Sequence, residues 1–327
     1  MKVCIYGAGA IGGLFAARLA AQGHDVSAVA RGKTLAALQA NGIGLHNAQG
    51  TRFYPINVQE NPAQLAPQDL VVIAVKQPAL SAVAHAVAPL LAPHTKVLLA
   101  MNGVPWWFFD GMPGPMAGAT LHSIDPNGQL RTLIPTSHII GCVVHISCVN
   151  QAPGITEHRF GDTLILGDPA SSGQPPAQAT QAMAHTLSQA GFDIQLSSFI
   201  QQDIWFKLWG NMTMNPVSAI TGATTDLILD DELVRSFCSA IMQEAAAIGE
   251  AIGCPVSQTT EQRHAITRKL GAMKTSMLQD VQAGRTLEID ALLTVVHEIA
   301  SRCNVPAPNT AALLGLTRLF AQVRGLR

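Results

Sequence analysis

The chain has 327 residues, 48% of them hydrophobic and 13% charged, with a formal net charge of −1. That is enough length for two domains and enough apolar substance for a large core, with a surplus available for a subunit interface. The near-neutral balance leaves no basic footprint for nucleic acid, and no uninterrupted apolar run approaches the roughly 18 residues of a membrane helix; the greasy stretch from Val97 to Leu121 is broken by Asn102, Asp110, three prolines and several glycines.

The first element is a short β-branched run ending at Tyr6, followed by Gly7-Ala8-Gly9-Ala10-Ile11-Gly12 and a helical apolar pattern. In a dinucleotide fold each glycine serves a separate purpose, Gly7 allowing the tight turn, Gly9 the close approach of backbone to pyrophosphate, and Gly12 the packing of helix on strand. The helix that follows points its first N–H groups at the phosphates. Lys2 before an apolar stretch resembles the start of a signal peptide, but the glycines and Arg18 interrupt it and no small-residue cleavage site follows. Asp25 to Ala30, Leu70 to Val75 and Lys96 to Met101 are expected strands separated by helical stretches, which implies a parallel sheet covered on both faces. From Ile139 to Val149 and from Ile155 to Leu166 strands follow one another directly, an antiparallel extension. Ala170 to Gln174 with Pro175 and Pro176 is expected to be a loop entering a helix that ends near Gln189, and Phe192 to Leu196 a last strand.

From about Gln201 the pattern is nearly continuous helix: Asp203 to Thr221, Asp231 to Ile252, Gln258 to Lys269, Ser276 to Ala283, Glu288 to Arg302, and Thr310 to the C-terminus. We therefore expect residues 1–197 to form a nucleotide-binding domain and residues 198–327 a helical substrate and dimerisation domain. The apolar C-terminal helices point to a homodimer.

Ligands of open parallel sheets lie beyond the carboxyl ends of the strands. The second strand ends at Arg31, where an enzyme using NADH would carry Asp or Glu; arginine, with Lys33 beside it, suits the 2′-phosphate of NADPH, the alternative being a solvent-facing loop residue. Lys76 follows the third strand in Val75-Lys76-Gln77-Pro78. Asn102, after the next, is either a hydrogen-bonding partner of a ligand or a turn residue before Gly103. Trp106, Trp107, Phe108 and Phe109 either roof the nicotinamide or fill a seam between domains.

Lys207, Asn211 and Asn215 recur every four residues and share one face of a helix that also carries Trp205, Phe206, Leu208 and Trp209. Water exclusion there would lower the lysine pKa and make it a better proton donor near neutral pH. A solvated stripe on a half-buried helix is the bland alternative. Six scattered cysteines without a Cys-x-x-Cys pair suggest free thiols in a reducing, cytoplasmic compartment, and the histidines have no metal-ligand spacing, so no metal is expected.

Taken together, Gly7 to Gly13, Arg31, Val75-Lys76, Asn102-Gly103, Lys207 to Asn215-Pro216, and Ser276 to Asp280 followed by Thr286-Leu-Glu288-Ile-Asp290 resemble the ketopantoate reductases, also called 2-dehydropantoate 2-reductases. The features span nearly the whole chain in the family's order. The resemblance implies an α/β Rossmann-type N-terminal domain, a parallel sheet with an antiparallel extension, followed by an all-α C-terminal domain. It implies NADPH-dependent reduction of the 2-oxo group of ketopantoate to pantoate, a step toward pantothenate and coenzyme A. Lys207 then resembles the catalytic acid, Asn211, Asn215 and Ser276 the substrate ligands, Asn102 the residue bridging cofactor and substrate, and Glu288 a carboxylate near the cofactor and the lysine. Without it, Ser276 reads as a helix N-cap and Glu288 as a first-turn acid.

The chain departs from the family in two places. No asparagine follows the Asn215-Pro216 pair within Ser218 to Gly222, and the aromatic insert at Trp106 to Phe109 with the run from Gly111 to Gly118 exceeds the minimal pattern. A paralogue reducing another branched 2-oxo acid is the alternative they raise. A non-catalytic NADP-binding sensor would have no need of the intact Lys207, Asn211, Ser276 and Glu288 set.

Overall fold

The computed structural model describes residues 1–169 and 173–327, and its contacts divide the chain into two compact units: Met1–Met101 with Gln129–Ile200, and Asn102–Gly128 with Gln201–Arg327. The segment Asn102–Gly128, expected within the first domain, groups with the helices that follow Ile200. Ala170, Ser171 and Ser172 of the expected loop lie outside the described residues.

The first unit contains β1 (Lys2–Tyr6), α1 (Ala10–Ala21), β2 (Asp25–Val29), α2 (Gly32–Asn41), β3 (Ile43–Asn47), β4 (Gly50–Tyr54), β5 (Asn57–Gln59), β6 (Leu70–Ile73), α3 (Leu80–Ala86), β7 (Lys96–Leu99), α4 (Gln129–Leu133), β8 (Ile139–Ala152), β9 (Ile155–Gly167), α5 (Gln178–Gln189) and β10 (Asp193–Leu196). Among the described residues the strands form one sheet in the order β4-β3-β9-β8-β7-β6-β1-β2-β5, with β10 beside β9. It is parallel except at β8–β9 and β3–β4. The expected antiparallel extension is therefore present. The β3–β4 hairpin was not anticipated, because its residues are mostly half-buried or exposed and give no clear apolar alternation.

Val3, Cys4 and Ile5 are fully buried, as a parallel strand covered on both faces requires. The register sets Tyr6 opposite both Val29 and Ile73, so the carboxyl ends of β1, β2 and β6 are level. Helix α1 packs on this sheet through an apolar face that includes Leu14, Phe15 and Leu19. Phe15 stacks on Phe192 at 4.6 Å. Arg18, the charge that interrupts the apolar run in sequence, lies over the Phe192 ring, donates to the Gly191 carbonyl at 2.8 Å and pairs with Asp162. Its aliphatic stem can thus be covered while its head remains satisfied.

The second unit contains α6 (Ile200–Thr221), α7 (Thr225–Asp230), α8 (Glu232–Ala251), α9 (Thr260–Arg268), α10 (Ser276–Gln282), a π-helical stretch over Asp290–Thr294 that runs into α11 (Val295–Arg302), and α12 (Pro308–Val323). Trp205 and Trp209 of α6 donate through their indole nitrogens to the carbonyls of Ala245 and Met242 in α8, at 3.2 and 2.7 Å. Trp106, Trp107, Phe108 and Phe109 are buried to within 1%, and Phe108 packs against Trp205. This packing gives segment 102–128 its place in the helical unit. Glu298 of α11 binds the same segment, accepting from the Ser123 hydroxyl and from the backbone N–H groups of His122 and Ser123.

Helix ends correct two details. Thr275, not Ser276, caps α10, accepting from Leu278 N–H at 3.2 Å. Glu288 precedes the helical run that ends in α11 instead of opening it, since that run starts at Ile289. The head of α12 has no local side-chain cap; Glu244 of α8 supplies one, accepting from the backbone and side chains of both Asn309 and Thr310.

Glu244→Ala strands those donors, and a loss of about 2 kcal/mol is expected, read as a lower urea midpoint at unchanged slope. Burial opposes ionisation of Glu298, but the Ser123 and His122 donors and Arg302 outweigh it and hold its carboxyl below the ordinary value of 4.5. A depressed carboxyl contributes stability above its unfolded pKa and loses it as pH falls through the folded one. The melting temperature should therefore drop below about pH 4.5, less steeply in Glu298→Gln than in the parent chain.

Candidate active site

In the first unit a cleft of about 290 Å3 opens beyond the level strand ends, lined by Tyr6, Gly7, Ala8 and Gly9 from the first turn, Val29 to Arg31 and Thr34 from the second, and Val75 and Ala79 from the third. Gly7 holds a φ of +98°, and a Cβ there would sit 2.6 Å from Val75 Cγ1. A Cβ on Gly12 would run into the Gly7 carbonyl, so helix and turn touch backbone to backbone. At Gly9 a Cβ would meet nothing within 4 Å, so no protein group requires this glycine; the room lies in front of the helix. Gly9 is the N-cap of α1 and offers no side-chain cap, leaving the first-turn N–H groups at Ala10, Ile11 and Gly12 to an outside acceptor. Partial positive charge at that terminus suits phosphate.

Arg31, at the N-cap of α2, is exposed on the cleft wall. The Tyr6 hydroxyl is buried without a hydrogen-bond partner among the described residues. Burial raises its pKa, against the nearby positive charge of Arg31. Lys76 heads the short 3-10 turn after β6, and the cleft lining passes from Val75 to Ala79 without it. Asn150 reaches the cleft from near the end of β8. Neither Tyr6 nor Asn150 was among the expected site residues: tyrosine ends a strand without remark, and no local pattern brings residue 150 back to residue 7.

In the second unit Lys207 Nζ donates to Asn102 Oδ1 at 2.9 Å. Asn102 is held by its neighbour: Gly103 adopts φ +88°, a Cβ there would collide with the Ala291 backbone, and Val104 N–H donates to the Ala291 carbonyl at 3.1 Å. Asn102 is thus a turn residue whose side-chain oxygen also accepts from Lys207. Asn215, 6% exposed, donates from Nδ2 to Ser276 Oγ at 3.4 Å, and Asn211 lies between it and Lys207 on the same face of α6. Because Thr275 takes the capping role, the Ser276 hydroxyl stays on the surface. Glu288 is half-buried between the buried Leu287 and Ile289. The aromatic cluster groups with the helical unit, where it is buried and Phe108 packs against Trp205.

The chemistry available is hydrogen bonding and proton donation. An ammonium is a hydrogen-bond donor only, and one of the acceptors it meets here is Asn102. Burial pushes the thiols of Cys4, Cys148, Cys238 and Cys254 up to about 12, which removes them as nucleophiles near neutral pH. Among the described residues no group of three or more His, Cys, Asp or Glu side chains is arranged to hold a metal ion, and no helix is long and apolar enough to cross a membrane.

Comparison with known proteins accounts for both units. The sequence model of the family described as Ketopantoate reductase PanE/ApbA matches residues 3–171, and that of Ketopantoate reductase PanE/ApbA C terminal matches residues 199–321. The 2-dehydropantoate 2-reductase of Mesorhizobium japonicum is 40% identical over 326 residues, 99% of each chain. The crystal structure of a protein assigned to the ketopantoate reductases, from Ralstonia solanacearum MolK2, superposes with a TM-score of 0.95 at 51% identity, covering 100% of this chain and 99% of the other. D-mandelate dehydrogenase, solved with NADH and anilino(oxo)acetate, has the same fold at 18% identity, with a TM-score of 0.85 and coverage of 99% and 100%. With a glycine turn beneath a helix N-terminus in one unit, a lysine–asparagine pair in the other, and a family match across both, the chain belongs to the ketopantoate reductases, pyridine-nucleotide-dependent oxidoreductases that reduce 2-oxo acids.

Proposed function

We propose that this chain reduces the 2-oxo group of ketopantoate to pantoate with NADPH, in the cytoplasm, on the route to pantothenate and coenzyme A, and that Lys207 supplies the proton. The observation that carries the reading is the bond between Lys207 Nζ and Asn102 Oδ1 on a helix face shared with Asn211 and Asn215. The nicotinamide, when bound, supplies the hydride. Negative charge then grows on the former carbonyl oxygen; the Lys207 ammonium stabilises it and passes it a proton. Asn102 restricts where that ammonium points and bridges substrate and cofactor, while Asn211, Asn215 and Ser276 hold the substrate. Glu288 serves as the carboxylate near cofactor and lysine.

The nucleotide cradle is Gly7 to Gly12 with Arg31, and Lys76 is a further ligand. Its fit rests on the empty space at Gly9, the uncapped head of α1 and the buried Tyr6 hydroxyl that meets no acceptor. Arg31 supports NADPH over NADH, since a guanidinium matches a phosphate in two directions at once. A homodimer is supported by Leu316, Leu319 and Val323, which stand at i, i+3 and i+7 along α12 and are 56%, 60% and 77% exposed.

One observation favours a second reading, reduction of another branched 2-oxo acid. The polar residues after Asn215-Pro216 are committed internally: Ser218 donates to the Ala223 carbonyl at 2.6 Å and Thr221 to the Val217 carbonyl at 2.7 Å. Neither replaces the asparagine missing from that turn.

Steady-state rates with ketopantoate and with bulkier and smaller 2-oxo acids separate the two readings, and an absence of NADPH oxidation with all of them would remove both. Lys207→Ala should lower kcat by about 100-fold or more while NADPH still binds. An unchanged rate takes the lysine out of the mechanism. Arg31→Ala should raise the KM for NADPH by about tenfold and leave that for NADH nearly unaltered.

A further inference from the structure

Arg263 of α9 lies flat against α6. Its guanidinium carbon is 5.4 Å from the centre of the Phe206 ring, and a Cβ on Gly210 would come within 2.6 Å of Nη2 and 2.8 Å of Nε. Glycine at 210 is therefore what lets the guanidinium approach the helix. Burial holds its pKa below the ordinary arginine value, although such a group stays charged.

Among the described residues no side-chain or backbone oxygen accepts from this guanidinium, and the Asn211 carboxamide also lacks a side-chain partner. Its five N–H donors form a fixed fork, half withdrawn from water, that an acceptor entering from outside can engage. They front a recess of about 80 Å3 whose polar lining includes Asn211 and Asn215, and whose apolar lining includes Met214, Met242, Leu270 and Met273. His264, also in the lining, is held by Ser239 at 2.9 Å, and burial lowers its pKa, so it adds little positive charge near neutral pH. One fixed cation, two amides and a wall of adaptable thioethers make a receptor for a small organic carboxylate.

We propose that this recess is the subsite for the carboxylate of the 2-oxo acid, with Arg263 as its ionic anchor and the amides of Asn211 and Asn215 continuing from it along the helix face that carries Lys207. The assignment rests on the reduction of a 2-oxo acid argued above, and it adds a charge partner that the polar stripe of α6 does not itself contain. Arg263 recognises the substrate; it takes no part in the transfer of the proton.

The test compares the parent chain with Arg263→Gln and Arg263→Lys, using each 2-oxo acid and its methyl ester, together with calorimetric titration of oxamate, an unreactive carboxylate mimic. For Arg263→Gln the KM for the acid should rise by at least about tenfold, with kcat and the KM for NADPH nearly unchanged. The preference for acid over ester should collapse, oxamate binding should weaken by a similar factor, and Arg263→Lys should restore part of the loss. An acid-to-ester ratio equal to that of the parent chain overturns the proposal. If Arg263→Gln does not fold, Gly210→Ala, which pushes the guanidinium off the helix, should raise the KM for the acid; no change there overturns it equally. Should the parent chain reduce no 2-oxo acid, the proposed function fails, and oxamate binding that depends on Arg263 still decides whether the recess takes a carboxylate.

Discussion

The indole N–H groups of Trp205 and Trp209 determine which way α6 faces. Each is buried and each donates, and the carbonyls they reach belong to successive turns of α8. With those two bonds made, rotation of α6 about its own axis is no longer available, because turning it would strand two donors in an apolar core. The residues on the remaining faces inherit their directions from this constraint. Lys207 meets Asn102, Asn215 meets Ser276, and the strip of Phe206 and Gly210 is left flat enough to take the Arg263 guanidinium.

A comparable constraint in the α/β unit is the level ending of β1, β2 and β6. Parallel strands in register deliver their first loop residues side by side, so Gly7 N–H reaches the Val29 carbonyl and Ala74 N–H the Tyr6 carbonyl across the ends of the ladder. The cleft is a product of sheet register and of two glycines that permit close backbone contact, and its floor is the uncapped head of α1.

What the sequence made legible is what short-range periodicity encodes. The glycine turn, the apolar strands and the four-residue spacing of Lys207, Asn211 and Asn215 are all local patterns, and each was found where expected. The β3–β4 hairpin escaped because its strands are largely solvent-facing and lack a buried alternation. The allegiance of Trp106 to Phe109 escaped because it depends on Trp205, nearly a hundred positions away. Thr275 and Ser276 are equally good caps by composition, and only backbone geometry assigns the role. Arg263 sits in a polar helix that reads as surface, and nothing within α9 hints at the aromatic ring and the glycine that receive it.

The interleaving of the two units has a consequence for biosynthesis. The backbone leaves the α/β unit after Met101, re-enters it at Gln129 and leaves again after Ile200. During synthesis the aromatic cluster at 106–109 emerges roughly a hundred residues ahead of the tryptophan it packs on, so simple domain-by-domain folding from the N-terminus is closed to this chain. For that interval Phe108 has Phe109 beside it but lacks the Trp205 ring it packs on in the finished unit. Neither unit corresponds to a contiguous stretch of coding sequence, so exchange of one domain for another by recombination would have to carry two separate segments together.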